Sequence, residues 1–561
     1  MVLILLCLSL RGESMSSNVL DVEKRLLTRN KWTYSVGGIG RDMIYQLVAT
    51  FFITYIQFSG IGLSASQFAT IGVMLVIGRV WDAVNDPIMG SIVENTRSKW
   101  GKFKPWILLG AVLTAIVVVF MFNFRPSGWG FVVFFGVIYL VWELSFTLND
   151  IPYWSLLPNL AREKKDRDQI ATMVVVFAGV GAFLGNAIIS FTTVGNAVKG
   201  YSIISYTFAI FFIGCTLLTV LGVKEPRIEK EELPEKITIK QMFKVIKNND
   251  QLLWSALALM FYSVGSGLLV ALGYNFFYLE LGYNGTIVLI FVATFGVSNI
   301  LIQSFYASLA KRFSRKSLLL ISFIIMSVGY LLLLSMGYIP VFPVHIITAC
   351  VFGALVFSGQ AIFYMVIIVN MTNTIEYNEF KTGNRNEAVI FSLRPFVAKF
   401  SSALQQGVVT LVLIISGVYA LSQNISQLEN QKNVFDQLTT SEQVDYKTNI
   451  ASRTIILDDV DISDDERIAV YDALQLVTFT DSNEDGIEEM VINEAADSAF
   501  MDQATPSMRI ILRLAITILP ILLIYGAFYI LNKKFIISEE YYESITKDIL
   551  NRTAIDPEVE M

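Results

Sequence analysis

Histidine and cysteine are scarce in this chain, and charge is sparse. One histidine, His345, and three cysteines, Cys7, Cys215 and Cys350, stand among 561 residues, too few and too widely spaced for a zinc site or a disulfide framework. A lone histidine far from any candidate nucleophile excludes Ser/His/Asp chemistry, and His345 reads as a surface or helix-capping residue. Cys215 and Cys350 fall inside apolar runs and read as packing residues. No GxxxxGK[ST] segment occurs, which argues against ATP-driven work. The chain is therefore not read as an enzyme, and neither a cofactor nor a nucleic-acid partner is expected.

Apolar residues are abundant: 54% of the chain is hydrophobic and 16% charged, and the apolar residues come in blocks of about 20, the length that crosses a bilayer. Such blocks cover 34–58, 66–91, 105–124, 129–157, 169–194, 201–222, 252–279, 286–310, 318–338, 341–371, 389–420 and 508–531. Twelve spans make this an all-α, multi-pass membrane protein with the lipid bilayer as its surroundings. Arg97, Lys99, Lys102 and Lys104 follow the second span; Lys311, Arg312, Arg315 and Lys316 follow the eighth. Short cytoplasmic loops collect basic residues, so both termini are expected in the cytoplasm of a cell-membrane protein. The two basic loops lie six spans apart, as two similar six-helix halves would place them.

The expected organisation is a cytoplasmic segment (1–30), a six-helix bundle (31–222), a cytoplasmic linker (223–250) and helices seven to eleven (251–421). An acidic insertion (422–507), helix twelve (508–531) and a cytoplasmic tail (532–561) complete it. The opening MVLILLCLSL lacks a basic n-region and a clear cleavage site, whereas Met15 begins a more ordinary cytoplasmic start. Residues 1–14 therefore read as an upstream extension rather than a cleaved signal. The insertion holds 19 acidic and 4 basic residues, so the net charge of −6 divides into −15 there and +9 elsewhere. Within it, Asp481, Asn483, Asp485 and Gly486 resemble the start of a calcium loop, but Ile492 stands where the bidentate Glu belongs, and an acidic solvated cap is the other reading.

Ionised side chains are costly at bilayer depth and mark ion or substrate paths or buried partners. In GRVWDAVNDPIMG, Arg79, Asp82, Asn85 and Asp86 fall at i, i+3, i+6 and i+7, on one helical face. Two carboxylates and an amide carbonyl suit a small hard cation, and two neighbouring carboxylates need a cation or a proton to stay buried together. Pro87 frees the carbonyl of Ala83 beside them. The alternative is a buried salt bridge of Asp82 with Arg79 or with Lys399. In TLNDIPYWSLLP, Thr147, Asp150 and Trp154 share a face, offering a further oxygen, an acceptor for two hydroxyls and a flat apolar surface suited to a sugar. Asp42 is another early acid, either functional or simply paired with Arg41, and Lys399 is an isolated base that offsets the surplus of acids.

RVWDAVNDPIMGSIVENTRSKWGKFKPW, DIPYWSLLP followed by KKDRDQ, and EYNEFKTGNRNEA before Lys399 closely resemble the glycoside–pentoside–hexuronide:cation symporter family, over roughly 31–420 and 508–535. The resemblance implies a major-facilitator fold with a central cavity between two six-helix bundles. It implies a sodium site at Asp82, Asn85, Asp86 and Thr147, sugar contacts at Asp42, Asp150 and Trp154, and a lysine linking the halves at Lys399. It also implies charged gating residues at Glu376, Arg385 and Glu387. The family's melibiose carriers have a sugar-binding arginine in the fifth span, where this chain has Val175, which puts galactoside recognition in doubt.

The expectation is a secondary active symporter, acting as a monomeric transport unit. It couples inward movement of a monovalent cation, Na⁺ with H⁺ or Li⁺ as alternatives, to uptake of a glycoside, pentoside or related sugar. A lysophospholipid carrier of the same fold is one rival. A non-transporting sensor whose insertion is its binding module is another.

Overall fold

The computed structural model describes residues 2–161, 164–194, 196–224, 248–282, 285–383, 387–455, 464–481, 488–492, 496 and 503–555. A bilayer offers no water to satisfy backbone polar groups, and the apolar runs are accordingly helices that bond internally. The first half contains α1 (Val2–Ala49), α2 (Phe52–Phe58), α3 (Ala65–Asn95), α4 (Lys104–Asn123), α5 (Gly128–Leu156), α6 (Lys164–Thr193) and α7 (Ala197–Gly222). The second begins with α8 (Asp250–Leu281), α9 (Gly285–Ala310), α10 (Arg315–Ser335), α11 (Ile346–Thr382) and α12 (Glu387–Ser416). The inserted segment follows as α13 (Val418–Phe435), α14 (Thr440–Ser452), α15 (Asp464–Leu474) and an antiparallel hairpin of β1 (Thr478–Thr480) and β2 (Glu489–Val491). The chain then closes with α16 (Pro506–Lys533) and α17 (Glu539–Ile555).

Among the described residues, ten helices, α4 to α12 and α16, are long and apolar enough to cross a membrane. The two remaining spans, α1 with α2 and α3, carry Arg41, Asp42, Arg79, Asp82 and Asp86, so the charges concentrate where apolarity is lowest. Helices α1 to α7 pack on one another, α8 to α12 pack with α16, and the two bundles meet where α3 lies on α12 and α6 on α9. This is the major-facilitator arrangement of two six-helix halves.

Local sequence explains several ends. Ser64 and Gln67 form a reciprocal capping box that starts α3, and His345 caps α11 by accepting from the Ile347 N–H through Nδ1 at 3.2 Å, as expected for a lone histidine there. Cys215 is buried and Cys350 half-buried, both as free thiols. Gly110 lets α4 touch α5, since a Cβ there would stand 2.4 Å from the Asn149 nitrogen.

Two spans depart from the sequence reading. The first, expected as 34–58, is interrupted at Thr50 and Phe51 between α1 and α2, and the eleventh, expected as 389–420, ends at Ser416. There Gly417 takes φ +78°, a left-handed conformation that glycine adopts without strain, and redirects the chain into α13. α3 runs unbroken from Ala65 to Asn95, so its backbone does not open at position 87. Most of the linker, 225–247, lies outside the described residues, as do 482–487, which hold Asn483 and Asp485 of the possible calcium loop.

Arg29 on α1 donates to the carbonyls of Leu221 and Gly222 at the end of α7. Glu539 accepts from the Arg315 N–H at the start of α10 at 2.6 Å. Partial burial raises the Glu539 carboxyl, but the Arg315 N–H and guanidinium outweigh it and hold the group below its ordinary pKa. These ties gather both chain ends on one face, the terminal face; the inserted segment lies on the other, the insertion face.

On the insertion face, α16 is held by Arg513, which is buried and contacts both oxygens of Glu280, at 3.0 Å from Nε and 2.8 Å from Nη2. It also donates to the carbonyls of Leu334 and Met336. Removing one member of a buried pair leaves the other charge stranded, at about 3–5 kcal/mol. Arg513→Met is expected to lower the thermal unfolding temperature of the detergent-solubilised chain; an unchanged melting point would contradict this anchor.

Candidate functional site

α3 and α12 cross where the halves meet, and the crossing brings Lys399 between two acids of the other half. Its Nζ lies 2.9 Å from Asp82 Oδ2 and is also hydrogen-bonded to Asp86 Oδ2. Thr147 on α5 donates to the second oxygen of Asp82 at 3.1 Å. The second oxygen of Asp86 is buried and meets no hydrogen-bond donor among the described residues. Asn85 is buried beside them on α3. Of the four oxygen-bearing residues named from sequence, Asp82 and Asp86 contact one lysine and Thr147 reaches it through Asp82, while Asn85 is shown only as buried on the same helix; of the two salt bridges weighed for Asp82 the structure contains the one with Lys399.

Arg79 does not pair with Asp82. Its guanidinium lies 3.5 Å from Glu143 of α5, a buried acid, donates to the Tyr45 hydroxyl at 3.4 Å and stands over the rings of Tyr45 and Trp142. Glu143 was not singled out from sequence, although it lies at i−4 from Thr147 and i−7 from Asp150, on the same face of α5.

A third cluster forms around Arg41. It contacts Asp42 at 2.8 Å and Asp150 at 3.2 Å, with its guanidinium 4.7 Å from the ring centroids of both Tyr153 and Trp154. Arg41 is therefore more than a neighbour of Asp42: it ties α1 to α5 and gathers Asp42, Asp150 and Trp154 into one group. Val175 on α6 is 62% exposed.

If every acid is ionised, Lys399 faces two carboxylates and Arg41 faces two, so each cluster keeps one uncompensated negative charge. Like charges this close favour uptake of a proton or a cation. Among the described residues no group of three or more His, Cys, Asp or Glu is arranged to hold a metal; the oxygen set here is two carboxylates, an amide and a hydroxyl, which suits a monovalent ion better than a transition metal.

One helical turn toward the insertion face from Asp42, Tyr45 and Gln46 reach a cavity of 410 Å³ between the halves. Its polar wall comes mostly from the second half: Asn299, Gln303, Gln360, Gln405 and Gln406, with the rings of Tyr262 and Tyr364. Among the described residues no Asp, Glu, Lys or Arg lines it. Gln406 donates to the Ala49 carbonyl at 2.9 Å, a group freed by the interruption after α1. Asp42, Asp150 and Trp154 are not on this wall; they lie around Arg41. Glu376 falls in α11 and Glu387 begins α12, while Arg385 lies outside the described residues.

The fold defines a polytopic membrane protein of the major-facilitator class. The chain belongs to the MFS/sugar transport protein family, whose pattern matches residues 33–441. It is 29% identical over 413 residues to the lactose permease of Lactobacillus delbrueckii subsp. bulgaricus, covering 71% of this chain and 64% of the permease. It is 25% identical over 415 residues to the raffinose carrier protein of Pediococcus pentosaceus, covering 69% and 62%. The chain thus spans just under two thirds of these relatives. The crystal structure of a bacterial homologue of the human lysosomal transporter Spinster, inward-facing and unoccupied, shares the fold, with a TM-score of 0.54 at 12% identity over 94% of this chain and 98% of that one.

Lys399→Ala should destabilise the chain by about 3–5 kcal/mol by stranding two acids, and adding Asp82→Asn should recover part of that loss. A thermal-melt double-mutant cycle checks this; strictly additive effects would contradict direct coupling.

Proposed function

We propose that this chain is a secondary active symporter that couples a monovalent cation, Na⁺ in the first instance, to uptake of a neutral glycoside by alternating access. The observation that carries the reading is the orphaned, buried oxygen of Asp86 in a cluster with one surplus negative charge. A cation reaching Asp82, Asn85, Asp86 and Thr147 would satisfy that oxygen and compete with Lys399 for both carboxylates. Because Lys399 belongs to the opposite half, occupation of the site changes how strongly the halves hold together, which links ion binding to reorientation.

The cavity beside it favours a sugar. Amides and hydroxyls supply donors and acceptors to ring hydroxyls, and aromatic rings supply flat faces for C–H groups. A neutral wall offers no counter-charge to a uronate or a phosphate head group, and its many amides suit an acyl chain poorly, which weighs against the lysophospholipid reading. The names of the lactose and raffinose relatives support neutral oligosaccharides as cargo. In this reading the three-group cluster of Arg41, Asp42 and Asp150, with Trp154, meets the sugar when the cavity extends toward the terminal face, and that face is cytoplasmic. Each ligand raises the other's affinity, as linkage requires.

In proteoliposomes, an inward Na⁺ gradient should drive uptake of a labelled neutral di- or trisaccharide. Asp86→Cys should abolish the Na⁺ stimulation while the protein still inserts, because it removes both oxygens and the charge. Uptake equally fast without Na⁺, H⁺ or Li⁺ gradients, or full Na⁺ dependence in Asp86→Cys, would overturn the proposed cation site. Melibiose is expected to compete weakly, since Val175 supplies no cationic contact, and strong competition would contradict that expectation.

A further inference from the structure

The inserted segment leaves the second half at Gly417 and rejoins it at α16, so both of its ends are fixed to that half. Yet α13 packs against α2 and α7, which belong to the first half. Tyr419 donates to the Leu63 carbonyl at 2.9 Å and stacks on Phe68 with ring centroids 4.0 Å apart. Gln423 donates to the Gln57 carbonyl at 2.8 Å. Farther along the helix, Glu429, 0% exposed, accepts from the Ala197 N–H at 2.6 Å. Asn433 accepts from Asn196 at 2.9 Å. From Tyr419 to Asn433 the contacts extend roughly 20 Å along one helix.

We propose that α13 is a latch that holds the insertion face of the carrier closed, and that the acidic segment behind it is its brace. Any motion that parts the halves on this face must either break these contacts or tear the insertion from its own half. Glu429 is the strongest hold, because its carboxylate accepts from the first N–H of α7, that of Ala197, where the helix dipole favours negative charge. Water can replace this bond when the face opens, so the latch biases the equilibrium and does not freeze it.

The brace is explicit. Asp436 accepts from the Met490 N–H at 2.9 Å, Gln443 donates to the Glu488 carbonyl at 2.8 Å, and Phe435 packs on the rings of Tyr446 and Phe479. These contacts fix the far end of α13 to the rest of the insertion. The family pattern matches residues 33–441, which takes in α13 but not most of the brace.

The proposal rests on the alternating-access reading, and the test separates the two. In the full-length chain in sealed proteoliposomes with the insertion face outward, and with native cysteines replaced by serine, Thr54→Cys places a thiol on the central cavity. Labelling by a bulky, membrane-impermeant maleimide then reports opening without any substrate. Glu429→Gln, which keeps the size and loses the charge, should raise the labelling rate by about tenfold, a shift of about 1.4 kcal/mol; Asn433→Ala should add to it. As a second variant that leaves Glu429 intact, Asn196→Cys with Asn433→Cys should stop both labelling and transport on oxidation by copper–phenanthroline, with recovery on reduction. Unchanged labelling in monodisperse Glu429→Gln, or full transport by the cross-linked pair, would overturn the latch. Altered labelling without carriage of any sugar would overturn the transport reading and leave the latch standing.

Discussion

Two carboxylates four residues apart on one helix in an apolar span need a proton or a cation to sit together, and in this molecule an ammonium from the other half of the chain contacts both. The Lys399 contact with Asp82 and Asp86 is therefore both a charge-balancing device and a joint. It sets where α3 may sit against α12, and through Thr147 it fixes α5 as well. Because the pair of acids keeps one surplus charge, the joint is strong without being saturated, which is the condition under which an added monovalent ion can loosen it.

The remaining polar groups are arranged around that joint in order of charge. Arg41 and Arg79 each tie an acid of α5 to α1 or α3 and keep the first half rigid, whereas the neutral cavity lies toward the insertion face, where α9, α11 and α12 supply amides. Charge thus holds the framework and, in the proposed mechanism, the ion, and hydrogen-bonding groups without charge are left for the proposed cargo. Among the described residues, contacts between the halves on the insertion face include neutral hydrogen bonds and stacking, such as Gln57 with Asn275 at 3.1 Å, together with the carboxylate of Glu429.

Much of the framework was legible because ionisable residues in apolar runs are conspicuous. Asp82, Asn85 and Asp86 share a face by spacing alone, Lys399 was the base available for charge balance, and the spans follow from hydropathy. Which acid meets which base across helices was not legible. Arg79 was weighed as a partner of Asp82, yet α5 is turned so that Glu143 takes it, and nothing in one sequence fixes that rotation. Arg41 looked like a simple neighbour of Asp42 for the same reason. The wall amides, Gln303 and Gln405 among them, carry no charge and so gave no signal of cost. The interruption at Thr50 and Phe51 has neither proline nor glycine to announce it, and the landing of α13 on the first half is a contact far apart in sequence.

The most direct test of the joint is the dipolar coupling between labelled Lys399 Nζ and labelled Asp carboxyl carbons, measured by solid-state NMR of the wild-type chain in membranes. Without Na⁺ the coupling should report Lys399 bound to carboxylates, and saturating Na⁺ should weaken it as the ion takes the oxygens. A coupling absent in the ion-free protein, or unchanged at saturating Na⁺, would contradict the account.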